Sequence, residues 1–166
     1  MHILEQKIRD ANKKGRPALI PFVTAGFPNA DDFWPAIKDL DDNGADIIEI
    51  GDKDYAMWYA DMNDEEAKYY GKTVKFKGRS LLGGGLKDDE FVIGRHIMTC
   101  CVEDIQFGGL VAKYADAQSL DHGGWVEMTA KIEREYNDMY RSEGPVYHVI
   151  EVKKTTPPEE EVATFY

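Results

Sequence analysis

Cross-linking resources are almost absent from this sequence. Its 166 residues hold two cysteines, and these are neighbours, Cys100 and Cys101. Adjacent residues on an extended chain point to opposite faces and rarely close a bridge, so a disulfide framework is excluded and the fold must rest on its core. Long apolar runs are missing too. None approaches the roughly 20 residues of a membrane-spanning helix, and the opening MHILEQKIRD lacks the apolar centre of a secretory signal. A soluble, cytoplasmic chain with no membrane span is the expectation. Basic residues are outnumbered, 20 against 31 acidic, for a formal charge of −11. That field repels a phosphate backbone unless lysines gather on one face, which they do not, so nucleic acid is excluded as a partner. Gly83-Gly84-Gly85 is followed by neither a Lys-Ser pair nor a helix start, which excludes a P-loop. What is present is apolar material, 43% of the residues, enough for one ordinary domain or a small domain with an appendage.

In chain order, Ile3, Leu4, Ile8 and Ala11 recur at helical spacing opposite Gln6, Lys7, Arg9, Asp10, Lys13 and Lys14, with Gly15 as a stop. Ala18 to Val23 (ALIPFV) and Ala45 to Ile50 (ADIIEI) are short apolar runs of the kind that form strands buried on both faces. Between them Asn29 suits a helix cap, Asp31 and Asp32 its positive end, and Phe33, Ile37 and Leu40 one stripe. Pro35 fits if the helix starts near Asp32. Strand, helix and strand over 18–50 make a unit whose strands lie parallel. A lone unit of this kind leaves sheet edges unpaired and one strand face uncovered. It is expected to pair outside itself, first in a homodimer through residues 18–50, with docking on an edge of the barrel or partial disorder as the alternatives.

GRPALIPFVTAGFPNADDFWPAIKDLDDNGADIIEIG, within residues 1–51, resembles the opening of the tryptophan synthase alpha chain. The resemblance implies a parallel β-α-β fragment of TIM-barrel type and places the family's acid-base glutamate of indole-glycerol phosphate cleavage on Glu49. A carboxylate at the carboxyl end of a barrel strand is where such chemistry sits. After Gly51 the pattern departs. Where the family has a proline, a phenylalanine, a serine and a second catalytic aspartate, this sequence reads DKDYAMW. A whole barrel of this type needs about 250 residues, and no glycine-rich phosphate cradle follows. Glu49 is therefore read as a strand carboxylate left from the fold, with a carbon–carbon lyase of tryptophan synthase alpha type as the alternative.

Beyond Asp52 the period changes. Asp64 to Tyr70 reads as one or two helical turns stopped by Gly71. Val74 and Phe76, then Phe91–Thr99 and Ile105–Lys113, then Val126, Met128, Ala130 and Ile132, then Val146, His148, Ile150 and Val152 alternate with polar residues, the signature of strands with one wet face. Phe91 to Ala112 is the organising stretch, two strands joined by a short acidic turn. Five short strands separated by turns such as LDHGG predict a small OB-like β-barrel. The fold class expected is α+β: a five-stranded OB-like barrel over 52–166 with an extended C-terminal tail, preceded over 1–51 by a helix and the parallel β-α-β fragment. YAMWYADMNDEEAKYYGKTVKFKG, DDEFVIGRHIMTCCVEDIQFGGLVAKYAD and WVEMTAKIEREYNDMYRSEGPVYHVIEVKK resemble the soluble C-terminal domain of uncharacterised bacterial permease-subunit proteins. That resemblance implies a non-enzymatic binding or interaction module, an accessory domain in a transport-related setting. The abrupt junction at Gly51–Asp52 reads as a fusion, natural or engineered; in the second case the chimera has no native function.

Alternation on the Phe91 strand puts His96, Met98 and Cys100 on one face and Arg95, Ile97, Thr99 and Cys101 on the other. His96 and Cys100 are candidate ligands for a soft metal such as zinc, although no CxxC or HxxxH spacing is present and Cys and Met are common core residues. His148 is read as a core histidine. Tyr55, Trp58, Tyr59, Tyr69 and Tyr70 either line a ligand groove or pack a helix onto the barrel. The tail from Thr155, with two prolines and three consecutive glutamates, reads as an extended, solvated strap.

Overall fold

The computed structural model describes residues 3–18, 22–23 and 47–165. Helix α1, Ile3–Lys13, follows the apolar spacing and ends at Gly15, whose φ of 73° is left-handed. There the Gly15 amide bonds the Asn12 carbonyl and the Arg16 amide reaches back to Ala11, the two-bond C-cap that only a left-handed residue allows easily. Ala11 is buried, whereas Ile8 is 44% exposed and so departs from the expected apolar stripe. Strands β1, Phe22–Val23, and β2, Ile48–Ile50, pair in parallel, Phe22 opposite Glu49, as the unit over 18–50 requires. The helix expected from Asn29 lies outside the described residues.

β2 does not stop there. It runs parallel to β3, Thr73–Leu81, with Ile48 opposite Val74 and Glu49 opposite Lys75. Ile48 and Ile50 join the same hydrophobic cluster as Val74, Phe76, Met128 and Ile132. The edge of β2 thus finds its partner within one chain.

The other strands are β4, Glu90–Met98; β5, Gln106–Lys113; β6, Trp125–Asn137; β7, Ser142–Lys154; and β8, Val162–Thr164. The result is a mostly β, α+β-like structure, one eight-stranded sheet in the order β1-β2-β3-β6-β7-β5-β4-β8 with an added β3–β4 pairing. That added pairing, over Arg79–Leu81, returns the circuit β3-β6-β7-β5-β4 to β3. β3 alternates strictly, burying Val74, Phe76, Gly78 and Ser80. The strand pair expected over Phe91–Ala112 is present, with Phe91 opposite Ala112 and Gly94 opposite Gly109. Gly94 is obligatory there, because a Cβ would lie 2.1 Å from the Gly108 carbonyl oxygen, which a backbone cannot yield.

Two features depart from the alternation read in the sequence. Between Thr129 and Ala130 the β6–β7 register slips by one residue, so Glu151 opposes Thr129 while Val149 opposes Ala130, and Ile150 is bulged out, 41% exposed. The bulge reverses the phase of β7: Tyr147, Val149 and Val152 meet the core, and His148 faces outward. The tail is not a solvated strap throughout. Its β8 pairs in parallel with His96–Met98 of β4, and Ala163 is buried.

The turns expected over Asp64–Tyr70 are present as a 3₁₀ turn, Glu66–Lys68, followed by the left-handed Gly71, and helix α2, Tyr55–Asp64, precedes them. Tyr55, Trp58, Tyr59 and Met62 fall at i, i+3, i+4 and i+7, one helical face. Tyr55, Trp58 and Met62 are buried, with Trp58 5.1 Å from Phe76 between ring centroids. Each such side chain contributes about 2 kcal/mol on burial. The Tyr55 hydroxyl donates to the Gly108 carbonyl at 3.0 Å. The aromatic residues thus pack a helix onto the sheet. No described helix is long and apolar enough to cross a membrane.

The circuit is thinnest where β5 meets β7, at Ala112 opposite Tyr147 and Lys113 opposite His148. Next to it the Tyr140 hydroxyl accepts from the Val111 amide at 2.8 Å and donates to the Pro145 carbonyl at 3.1 Å, replacing a missing rung with a side chain. Burial pushes that phenol up to about 12, so it stays a donor at any ordinary pH. Tyr140→Phe leaves both groups unpaired and is expected to cost about 1–3 kcal/mol in chemical denaturation. It should also speed amide exchange at Val111 before exchange at Met128.

Candidate functional site

Phe91, Ile93, Arg95 and Ile97 occupy the inward phase of β4, so an arginine is delivered to the interior by the same alternation that buries its neighbours. Arg95 is 1% exposed. Its Nη1 donates to the Asp52 carbonyl at 2.7 Å, and its Nη2 donates to the Glu160 carbonyl. The Asp52 carboxylate stands 3.5 Å from Nη1. The guanidinium lies 5.6 Å from the ring centres of both Tyr55 and Trp125, within cation–π range. Burial lowers its pKa, the Asp52 charge opposes that, and an arginine remains a cation across the working range. Its Nε is buried with no partner among the described residues. Beside it opens a cavity of about 480 Å³, walled by Asp52, Asp54, Met57, Glu160, Thr164 and Phe165. β8, held on β4, supplies one wall, and the residues around the start of α2 supply the other.

Glu49 lies at the sheet surface, its side chain 37% exposed. Lys75 Nζ reaches it at 3.1 Å and also stands 3.6 Å from Glu127. Burial works against the charge on Lys75, but the bonds from Glu49 and Glu127 outweigh it and hold the lysine above its ordinary value. Asp52 is paired in turn with Lys77 at 3.1 Å. Glu49 is thus one end of a row of ion pairs fastening β2 to β3, with a lysine as its nearest partner.

At the far end of β4, Cys100 and Cys101 are free and exposed, their Sγ atoms 3.5 Å apart. A 3₁₀ turn over Val102–Asp104 returns Asp104 to them. Its carboxylate accepts the Thr99 amide at 3.1 Å and the Cys100 amide at 2.8 Å. A hydrogen bond to Asp104 and one to Cys101 push the Cys100 thiol up to about 11, and the same thiol helps hold Asp104 below the usual carboxylate range. The ligand atoms of Cys100, Cys101 and Asp104 all lie within 4.8 Å of one another. His96, the other expected ligand, is outside this group; its ring meets Phe107 edge-on at 5.3 Å. His148 is no core residue. Its Nε2 is 3.0 Å from Glu135, which also binds Lys113 at 2.7 Å.

A family model, the DUF1980 C-terminal domain, matches residues 35–163. The chain belongs to this family. All of the site geometry above, from Glu49 to the β8 wall, falls on or beside the DUF1980 C-terminal domain match. A second model, the tryptophan synthase alpha chain, matches residues 8–54 and overlaps the first over 35–54, the stretch that contains β2 and Glu49. Among curated proteins, the chain is similar to the tryptophan synthase alpha chain of Desulfovibrio desulfuricans, 69% identical over 51 residues, 31% of this chain and 20% of the relative. The alpha chain of Nitratidesulfovibrio vulgaris is 60% identical over 48 residues, 29% and 19% of the two chains. That of Caldanaerobacter subterraneus is 41% identical over 87 residues, 52% and 29%. The chain spans about a fifth of the length of the first of these relatives.

Sequence reasoning places Arg95 on the face of Ile97 but gives it no role, and it leaves Asp104 out of the metal set. Signals for both are present: an arginine in phase with Phe91 and Ile93, and a carboxylate three residues past a cysteine pair. Replacing Arg95 with Met keeps much of the volume but abandons the Asp52 and Glu160 carbonyls. The expected result is a loss of about 2–4 kcal/mol in denaturant unfolding, with amide exchange at Val162–Thr164 rising ahead of the rest of the sheet. Exchange that rises uniformly would show that Arg95 does not hold the tail.

Proposed function

We propose that this chain is a non-enzymatic binding module on an OB-like barrel, a soluble accessory domain of a transport-related family, and that it binds its ligand in the cavity beside Arg95. The order β3-β4-β5-β7-β6 and back to β3, antiparallel except at β5–β7, supports the barrel reading, because that is the Greek-key circuit of a five-stranded OB barrel. The observation that carries the binding reading is the cavity itself: about 480 Å³, with a fully buried cation on its wall and Asp52, Asp54, Glu159 and Glu160 around it. The lining thus carries four acidic residues, of which Asp52 is already paired with Lys77, against Lys53 and a guanidinium engaged by main-chain oxygens. Ligands carrying an ammonium or guanidinium group fit that balance. Titration of the labelled chain with free arginine, and separately with glutamate, tests this by amide shifts. Saturable shifts at Asp54, Met57 and Thr164 with arginine only are expected; no shifts, or equal ones, overturn the reading.

The lyase alternative rests on Glu49. Its engagement by Lys75 leaves it in a structural ion pair, and one carboxylate does not position an indole-glycerol phosphate. No turnover of that substrate is expected, and Glu49→Gln should shift unfolding by at most about 1 kcal/mol. Turnover that disappears in Glu49→Gln would reverse the assignment.

We place the division of the chain at Gly51–Asp52, residues 1–51 being a β-α-β fragment of TIM-barrel type fused to the barrel. The two family matches support a fusion. A homodimer through residues 18–50 belongs to the same reading, and its support is β1, paired on one side only among the described residues. In sedimentation at micromolar concentration the dimer should give twice 18.8 kDa. A monomer at every concentration removes it and leaves the β2–β3 pairing as the whole means of attachment.

A further inference from the structure

We propose that Cys100, Cys101 and Asp104 form a binding site for one zinc-class divalent cation, separate from the Arg95 cavity and built without His96. Tetrahedral zinc holds thiolates at about 2.3 Å, which sets two sulfurs on one ion roughly 3.8 Å apart. The Sγ atoms of Cys100 and Cys101 stand 3.5 Å apart, so the ion fits between them after a shift of a few tenths of an ångström. Adjacent cysteines on a regular strand would diverge. Here the chain has left β4 at Met98, and the turn over Val102–Asp104 brings the thiols to one side.

Asp104 completes the set on geometry as well as type. Its carboxylate is anchored by the Thr99 and Cys100 amides, the outer-shell support that keeps a ligating carboxylate in one orientation. All three ligand atoms lie within 4.8 Å of one another. Two sulfurs and one oxygen select a borderline-soft ion over calcium or magnesium, which take oxygen ligands. Both thiols are exposed, so an ion enters without unfolding anything, and three protein ligands leave a fourth tetrahedral position open. Asp104 also borders a cleft of about 340 Å³ with Tyr59, Asn63, Gln106 and Phe107. An ion on Asp104 therefore sits at the rim of a second, shallow cavity, where a small donor from a ligand or partner completes its shell.

His96 is the partner for Cys100 that strand alternation suggests, and it is not among the three residues whose ligand atoms cluster. His96 is engaged with Phe107 and opposite it in the β4–β5 register, while the thiols belong to the turn. A second thiol and a carboxylate in place of the imidazole put the site wholly within five consecutive residues.

The test uses the full chain, reduced and freed of metal, titrated with Cd²⁺ as a spectroscopic probe and with Zn²⁺ in competition against a chromophoric chelator. One equivalent of Cd²⁺ per chain should produce thiolate-to-metal charge-transfer absorption in the ultraviolet. Cys100→Ser and Cys101→Ser should each lose most of that absorption and weaken Zn²⁺ by roughly tenfold or more. Asp104→Asn should keep the absorption but weaken Zn²⁺ by roughly 10–100-fold, and His96→Ala should leave both unchanged. Melting curves of the metal-free variants show whether each is folded. Absence of the absorption in the folded wild-type chain overturns the proposal, as does its survival in the double cysteine variant. Loss in His96→Ala overturns the ligand set and returns the site to the strand face.

Discussion

A guanidinium removed from water needs partners for its donors, and in this chain that need, met at both Nη atoms though not at Nε, draws three distant stretches to one point. Arg95 takes the Asp52 carbonyl from the segment leaving β2 and the Glu160 carbonyl from the tail, and lies beside the Tyr55 ring of α2. Leaving any of these unmade would cost more than making it gains, because an uncompensated buried charge is penalised by several kcal/mol. The N-terminal approach, the helix and the C-terminal strand thus gather around one residue of β4, beside which the cavity opens.

That arrangement also explains how a short parallel fragment survives on a mostly antiparallel sheet. β2 supplies two buried isoleucines to the common core, and with the segment leaving it a row of ion pairs, Glu49 with Lys75 and Asp52 with Lys77, along β3. Partly exposed pairs of this kind contribute only tenths of a kcal/mol to about one. Burial of Ile48 and Ile50 contributes more, about 2 kcal/mol each. The ion pairs instead fix the register, since a slip of one residue would set Glu49 opposite an apolar side chain of β3.

Much of this was legible in the residues. The five long strands follow period-two alternation, the parallel pair falls within the two apolar runs although Glu49 of β2 lies at the sheet surface rather than buried, and Gly15 marks a helix end. What was not legible has local physical causes. Ile150 has the hydropathy of a core residue and its position fits the alternation, yet the bulge turns it outward and carries His148 with it; a one-residue slip between strands leaves no mark in periodicity. β8 was hidden because prolines and glutamates precede it, and only pairing with His96–Met98 of β4 makes its three residues a strand. Arg95 and Asp104 were visible as residue types but not as a meeting place, since Asp52 and Glu160 are distant from Arg95 in sequence. The cysteine pair was visible, and alternation paired it with a histidine on the strand because a strand, not a turn, was the expected geometry.

The circuit of strands has two narrow seams, β5 with β7 and β3 with β4, and both border the β4–β5 hairpin. Elsewhere the strands are joined along most of their length. Mechanically this makes the hairpin a leaf mounted on a broader plate formed by β3, β6 and β7, with a tyrosine hydroxyl acting as the catch on one side. Both Arg95 and the cysteine turn ride on that leaf. Whatever displaces that hairpin would therefore displace Arg95 and the thiol pair together, while the cavity wall from Asp52 to Met57 stays with the plate.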